Sequence, residues 1–311
     1  MSRPAGLPPL PPPESTVGVL DIGGTHVTSA QVDPSRWTLI QQPVRLTVAP
    51  DGSATAILAR FGQAANAISS ADNPPRPLIW GVAMPDPFDY ATGTAWFQGV
   101  AKFERLYGLD VRAALLSAID PTPLDVVFIN DADAFILGEW LHGAATGAAR
   151  CVGITLGTGV GSGFLADGAI VDTGPDVPAG GRAHTVVVDG VPLEELMSRR
   201  AIRRSYAAAG GDSSLDVREI CARARDQDRF ALVAIRSALG RLGTALAPWI
   251  ARFGADVLVI GGSMAASWDV LEPPFLDAFA AIAEPPPIAV AVDADRAPLL
   301  GAAQRAQRIG A

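Results

Sequence analysis

With 311 residues, 49% of them hydrophobic, the chain is long enough to bury a sizeable core and to divide into two domains or lobes. Its formal net charge of −8 argues against a polyanionic partner such as nucleic acid, although a local basic patch could still bind a nucleotide. Two cysteines, Cys151 and Cys221, exclude a disulfide framework and a four-cysteine metal site, which makes a cytoplasmic location the default; no apolar run approaches the length of a membrane-spanning helix, so no membrane partner is expected.

The proline-rich residues 1–16 lack the charged-then-apolar pattern of a secretory signal and are expected to form a disordered leader. Alternation then predicts strands over 17–22, 27–32 and 37–48, a helix over 54–70 and a strand over 78–82. Residues 88–107 read as loop-rich, 111–119 as helix and 126–129 as a strand that delivers Asn130-Asp131, with a helix over 132–142 behind it. Further on, long helical stretches are predicted over 193–208 and 230–253, the second kinked at Pro248, and a last helix over 298–308. The order predicts an α/β fold of mixed sheets with helical cover. The expected lobes are a small α/β lobe over 17–130 completed by a C-terminal helix at 298–311, and a large α/β lobe over 131–297.

Three glycine turns stand out along this order. The first strand ends in Asp21-Ile22-Gly23-Gly24-Thr25-His26, where two missing Cβ atoms let a backbone come close to a ligand. Peptide N–H groups and the Thr25 hydroxyl suit phosphate oxygens, while the Asp21 carboxylate suits the hydrated Mg²⁺ that travels with ATP. An ordinary hairpin turn fits the same segment. The second turn, Gly157-Thr158-Gly159 with Gly161 beyond it, repeats the first at an offset of 134 residues, bringing Gly23 onto Gly157 and Asp33 onto Asp167. The third, Gly261-Gly262-Ser263, follows a buried-type strand and suits close approach by an adenosine; a ligand-free strand-to-helix turn fits it as well. A duplicated half-domain with one phosphate hairpin in each copy resembles the two-lobed actin-like ATPase (ribonuclease H-like) fold, with a duplicated mixed sheet and the nucleotide in a central cleft.

Asn130-Asp131 sits where a strand end meets a helix start. Phosphoryl transfer to an alcohol needs a carboxylate within hydrogen-bond reach of the attacking hydroxyl, and Asp131 is the candidate base, held ionised by the helix dipole. Asn130 can cap the helix and offer its amide to an acceptor. A plain N-cap followed by first-turn acids is the other reading of this segment, and it accounts well for Asp133.

These four motifs, in this order, resemble the ROK family (repressors, open reading frames and sugar kinases) from about Val17 to the C-terminus. The resemblance implies an ATP-dependent kinase acting on the primary hydroxyl of a hexose or sugar-like polyol, glucokinase-like, with ATP and Mg²⁺ as cofactors and a homodimer as the assembly. It also implies that His26 is a minor phosphate contact and that the segment holding Gln98 and Lys102 borders the acceptor, although Lys102 fits a solvated surface lysine too. Two other functions remain open: a C7-cyclitol kinase of the valiolone type, and a non-catalytic sugar sensor. A DNA-binding repressor is disfavoured because the 16 residues before Val17 are too few for a helix-turn-helix module.

The acceptor half departs from the family pattern. The usual Glu-x-Gly-His becomes Gly181-Arg182-Ala183-His184, and Cys-Leu-Glu becomes Pro192-Leu193-Glu194, with no cysteine between them. A zinc site is therefore not expected, and packing is expected to hold the loop instead. His184 and Glu194 remain candidate acceptor ligands, with a structural role equally open for His184. His142 reads as a surface residue near a helix end.

Overall fold

The computed structural model describes residues 16–68, 76–279, 282 and 284–310. The expected leader, apart from Thr16, and residues 69–70 of the helix expected over 54–70 lie outside these. Two compact units divide the chain: the first runs to Leu141 and resumes at Asp295, and the second is His142–Ala294.

The first unit opens with β1 (Val17–Ile22) and β2 (His26–Asp33), then β3 (Thr38–Leu39) and β4 (Val44–Thr47). One strand was expected over 37–48, but the chain turns between the two short ones, with Trp37 at positive φ and Pro43 lacking the N–H that a ladder needs. Helix α1 (Ala54–Ile68), β5 (Ile79–Met84), the short β6 (Phe88–Asp89) and β7 (Thr94–Ala95), α2 (Val111–Ala118), β8 (Asp125–Asn130) and α3 (Asp131–His142) follow. The sheet runs β3-β2-β1-β5-β8, with β4 also on β2. Strand β1 pairs antiparallel with β2 and parallel with β5, which pairs parallel with β8. Such a central strand is covered on both sides, which is why Val17, Val19, Leu20 and Ile22 are all buried.

The second unit repeats the plan. It contains β9 (Arg150–Leu156), β10 (Val160–Ala166), β11 (Ala169–Ile170), the small β12 (Val187–Val188) and β13 (Val191–Pro192), then α4 (Leu193–Leu196), α5 (Arg199–Ala208), α6 (Val217–Arg225), α7 (Arg229–Phe253), β14 (Val257–Gly261), α8 (Trp268–Phe279) and β15 (Ile288–Val290). Its sheet order, β11-β10-β9-β14-β15, matches that of the first unit: an antiparallel hairpin followed by parallel neighbours. The hairpins differ by one residue at the tip. Ile22 pairs with Val27 across four residues, Leu156 with Val160 across three.

Several sequence expectations change here. The stretch over 193–208 is two helices, because the chain turns at Met197 and the Ser198 hydroxyl accepts the Ala201 N–H at 3.3 Å to start α5 afresh. Helix α7 continues through Pro248 and is, among the described residues, long and apolar enough by length and composition to cross a membrane; it packs instead against α5, α6 and α8 in the unit's own core. Helix α6 was not foreseen, nor was α8, whose Pro273-Pro274 pair reads as a breaker. The C-terminal helix α9 (Ala297–Gly310) packs on β1, β5 and β8 of the first unit.

The division between units falls at the last residue of α3, between Leu141 and His142, whereas the sequence reading set it at 130/131. Helices α3 and α9 cross with almost no side chain between them: a Cβ on Gly138 would strike the Ala297 backbone, and one on Gly301 the Ala134 backbone. That contact ties α3 to the unit holding α9.

Candidate functional site

In the first unit, the parallel register sets Asn130 beside Met84, so that the chain leaving β5 reaches Asn130 with Asp86 and Tyr90. Asn130 is buried and fully engaged. Its Oδ1 accepts the Ala132 and Asp133 N–H groups at 3.0 and 3.2 Å, capping α3. Its Nδ2 donates to Asp86 Oδ2 at 3.1 Å and to the Tyr90 hydroxyl at 3.0 Å, while that hydroxyl donates to Asp86 Oδ1 at 2.8 Å. The amide expected to meet an acceptor is thus committed to Asp86 and Tyr90, and Asn130 acts to fix its neighbour.

That neighbour is Asp131. It is half-buried at the first residue of α3, with Oδ1 accepting the Ala132 N–H at 2.9 Å, where the helix N-terminus favours a negative charge. Asp21, at the end of β1, lies within its field. Burial first, then the Asp131 and Asp295 carboxylates, push the Asp21 carboxyl up to about 7, against a smaller opposing pull from Arg45. Only part of Asp21 is exposed, and protein atoms surround its carboxyl. Two carboxylates that repel when both are ionised form a donor set that a divalent cation relieves. Among the described residues no three His, Cys, Asp or Glu side chains are grouped to hold a metal.

The first hairpin tip is closed by Gly23 N–H donating to the His26 carbonyl at 2.9 Å, and it is tied to the next strand by Val48 N–H donating to the Thr25 carbonyl at 2.8 Å. Thr25 is exposed, and its Oγ1 lies 2.8 Å from His26 Nδ1, which orients the hydroxyl.

The second unit gathers the other turns. Gly157 N–H donates to the Gly159 carbonyl at 3.0 Å, and Met264 N–H donates to the Leu156 carbonyl at 3.0 Å, seating the Gly261-Gly262-Ser263 turn on the root of the hairpin. Gly262 has φ +81°, and a Cβ there would run into the Leu156 backbone. A cavity of about 660 Å³ opens beside this turn, lined by Ser263, Met264, Ser267, Val217 and Arg225 among others. Glu194, expected as an acceptor ligand, sits under the hairpin: its Oε2 accepts the Val160 N–H at 3.0 Å, and its carboxylate fills the space that a Cβ on Gly159 would need. Gly161 lies on β10, paired with Thr155.

The loop that lacks cysteines is pinned, and by more than packing. The buried Ser162 hydroxyl donates to the Gly181 carbonyl at 2.6 Å and accepts the Ala183 N–H at 2.7 Å. His184 is half-buried in the following single turn. Gln98 is exposed and Lys102 half-buried, and among the described residues neither is hydrogen-bonded or ion-paired to Asn130 or Asp131. His142 is exposed at the end of α3.

Sequence reasoning missed Asp86 and Tyr90, whose signal was an Asp-Pro step directly after a buried strand. It also missed the arginines of α5, plain in Arg199-Arg200-Ala201-Ile202-Arg203-Arg204 as a helix start with no acid.

The chain is similar to a glucokinase from Thermotoga maritima, 27% identical over 277 residues that cover 82% of this chain and 84% of the relative. Its structure is similar to that of a ROK hexokinase from Thermus thermophilus (26% identity, TM-score 0.71, 94% of this chain and 97% of that one). A ROK family glucokinase from Streptomyces griseus, solved with glucose and AMPPNP, shares the actin-like ATPase fold at 21% identity (TM-score 0.76, 94% and 100% covered). The ROK family model matches residues 17–309, nearly the whole chain, and the chain belongs to that family.

Proposed function

We propose that the protein is an ATP-dependent carbohydrate kinase that transfers the γ-phosphoryl group to the primary hydroxyl of a hexose or sugar-like polyol. The observation that carries this reading is the Asp86–Tyr90–Asn130 network, which fixes Asp131 at the start of α3 beside Asp21. Asp131 accepts the hydroxyl proton as the acceptor oxygen bonds to the γ-phosphorus and the bridge to the β-phosphate breaks, leaving ADP. Asp21 would hold Mg²⁺ with the help of Asp131's field, and the ion would supply charge neutralisation for the phosphates. The amides of Gly24 and Thr25 and those of Thr158 and Gly159 serve phosphate oxygens, since the Gly23 and Gly157 amides close their own turns, and the Gly261–Ser263 turn with its neighbouring cavity serves the adenosine. Kinase relatives in the same family support the reading.

A coupled ADP assay across hexoses, amino sugars and C7-cyclitols tests it. ADP release that requires a sugar supports the kinase and names the acceptor. Release only with cyclitols moves the acceptor to that class. Sugar binding without ADP from any acceptor overturns the kinase in favour of a sensor.

A further inference from the structure

We propose that Asp86 is a specificity residue for the acceptor: its carboxylate accepts a hydrogen bond from a second hydroxyl of the polyol, distinct from the one that is phosphorylated. An acceptor that brings no hydrogen to that place is turned away. That an acceptor lies here rests on the kinase reading; the pattern of donors and acceptors around Asp86 stands without it.

The fold puts Asp86 on the edge of the sheet where ligands bind. Strands β1, β5 and β8 are neighbours and run parallel, so their C-terminal ends lie side by side in the first unit. In open α/β sheets the crevice outside those carboxyl ends takes the ligand. Asp21 lies near the end of β1, Asp131 directly follows β8, and Asp86 stands two residues beyond the end of β5, the strand between them. Asp86 is half-buried, so its carboxylate is held by the protein and still reaches the surface. The carboxylates that crowd Asp21 are Asp131 and Asp295, which leaves Asp86 outside the group that suits a cation.

The hydrogens around Asp86 can be counted. Asn130 has two on its amide nitrogen; it gives one to Asp86 Oδ2 at 3.1 Å and one to the Tyr90 oxygen at 3.0 Å. Tyr90 has one on its hydroxyl, shared between Asp86 Oδ1 at 2.8 Å and the Met84 carbonyl at 3.1 Å. Every side-chain hydrogen of Asn130 and Tyr90 is therefore spent inside the network. What the network can offer a ligand is oxygen, and the charged oxygens are those of Asp86. A ligand group that meets them must donate. A hydroxyl does so, whereas an ether, a carbonyl or a carboxylate sets oxygen against oxygen. Bonds to a charged acceptor are the stronger kind, and a site built around one strongly rejects the analogue that lacks the donor.

The test is a cycle of protein and ligand changes read by titration calorimetry on the full chain. Glucose, mannose, galactose and valiolone are titrated first, and then the monodeoxy and monodeoxyfluoro analogues of whichever binds most tightly. One ring position, away from the primary hydroxyl, should weaken binding about thirtyfold when its hydroxyl becomes hydrogen or fluorine, since fluorine keeps the polarity and brings no hydrogen. Asp86→Asn should weaken the intact polyol by about the same factor, yet change affinity for that one analogue by less than about threefold, because the bond is already gone. A residue that only holds Asn130 in place would weaken the polyol and all its analogues alike. That outcome overturns the assignment, as do unchanged affinity in Asp86→Asn and the failure of every polyol to bind. Melting curves check the fold; should Asp86→Asn not fold, Asp86→Ser keeps an oxygen for Asn130 and carries the same cycle. Calorimetry needs no turnover, so a protein that binds a polyol and releases no ADP fails the kinase reading in the ADP assay and still gives a distinct answer here.

Discussion

The β1–β2 and β9–β10 hairpins hold the same place in two sheets of the same strand order, yet one ends among carboxylates and the other near arginines. The first tip spans four residues beside Asp21 and Asp131; the second spans three, is braced from below by Glu194, and has Thr158 facing the α5 arginines. A Cβ on Gly24 would meet nothing within 4 Å, whereas one on Gly159 would meet the Glu194 carboxylate. The same strand order recurs in both units, and what surrounds each tip differs: crowded carboxylates in one, arginines in the other.

The largest test of this contrast falls on the acidic side. Asp131→Asn keeps the shape of the helix start and removes the proton acceptor, so kcat should fall about a thousandfold, within the range of general-base losses, with the ATP dissociation constant nearly unchanged. A kcat within threefold of the parent would leave the carboxylate pair without a catalytic half.

Asp21→Asn should lower Mg²⁺-dependent turnover by about a hundredfold while stabilising the free protein at neutral and higher pH. The folded carboxyl titrates at about 7, above the 3.8 of the unfolded chain. Between those values the folded state keeps a proton that the unfolded state has lost, so stability falls as pH rises through this window, and the penalty is complete above pH 7. Melting temperatures of parent and variant should therefore agree near pH 4 and diverge by pH 8, with the variant higher. Parallel curves would mean that Asp21 is not crowded.

The glycines sharpen the comparison between the tips. Gly262→Ala forces a Cβ into the Leu156 backbone at positive φ and should cost about 2 kcal/mol or more by chemical denaturation. Gly24→Ala should change stability by less than about 0.5 kcal/mol and act on ATP affinity alone, since its Cβ enters open space. Glu194→Ala leaves the Val160 N–H without its acceptor and should cost about 1–2 kcal/mol of stability and raise the KM for ATP, with acceptor KM unchanged. If the acceptor KM alone moves, Glu194 belongs to the acceptor site and not to the hairpin.

The legible parts of this molecule are those whose physics is local. Asp21-Ile22-Gly23-Gly24-Thr25 and Gly157-Thr158-Gly159 declare themselves because a run of buried-type residues stops at positions without Cβ atoms, and Asn130-Asp131 because a cap must stand where a strand becomes a helix. The remainder depends on partners far apart in the chain. Glu194 reads as a sugar ligand, and its bond to Val160, 34 residues back, is visible only in the fold. Asp86 and Tyr90 lie in a stretch with no periodicity, and only the β5–β8 register brings them to Asn130. The α5 arginines were hidden by abundance, since 23 of the 24 basic residues are arginine and the excess reads as codon usage. The break at Ser198 was misread, and the helix through Pro273-Pro274 went unforeseen, because tertiary packing overrode local propensity there.

The central claim is that phosphate moves from ATP to a sugar hydroxyl. Phosphorus NMR of the protein with Mg²⁺·ATP and the acceptor chosen by the ADP assay follows that atom directly. The predicted result is a new sugar phosphomonoester resonance that grows one-for-one with ADP and does not grow with Asp131→Asn. Release of the γ-phosphate as inorganic phosphate only, or intact ATP with every acceptor, would contradict it.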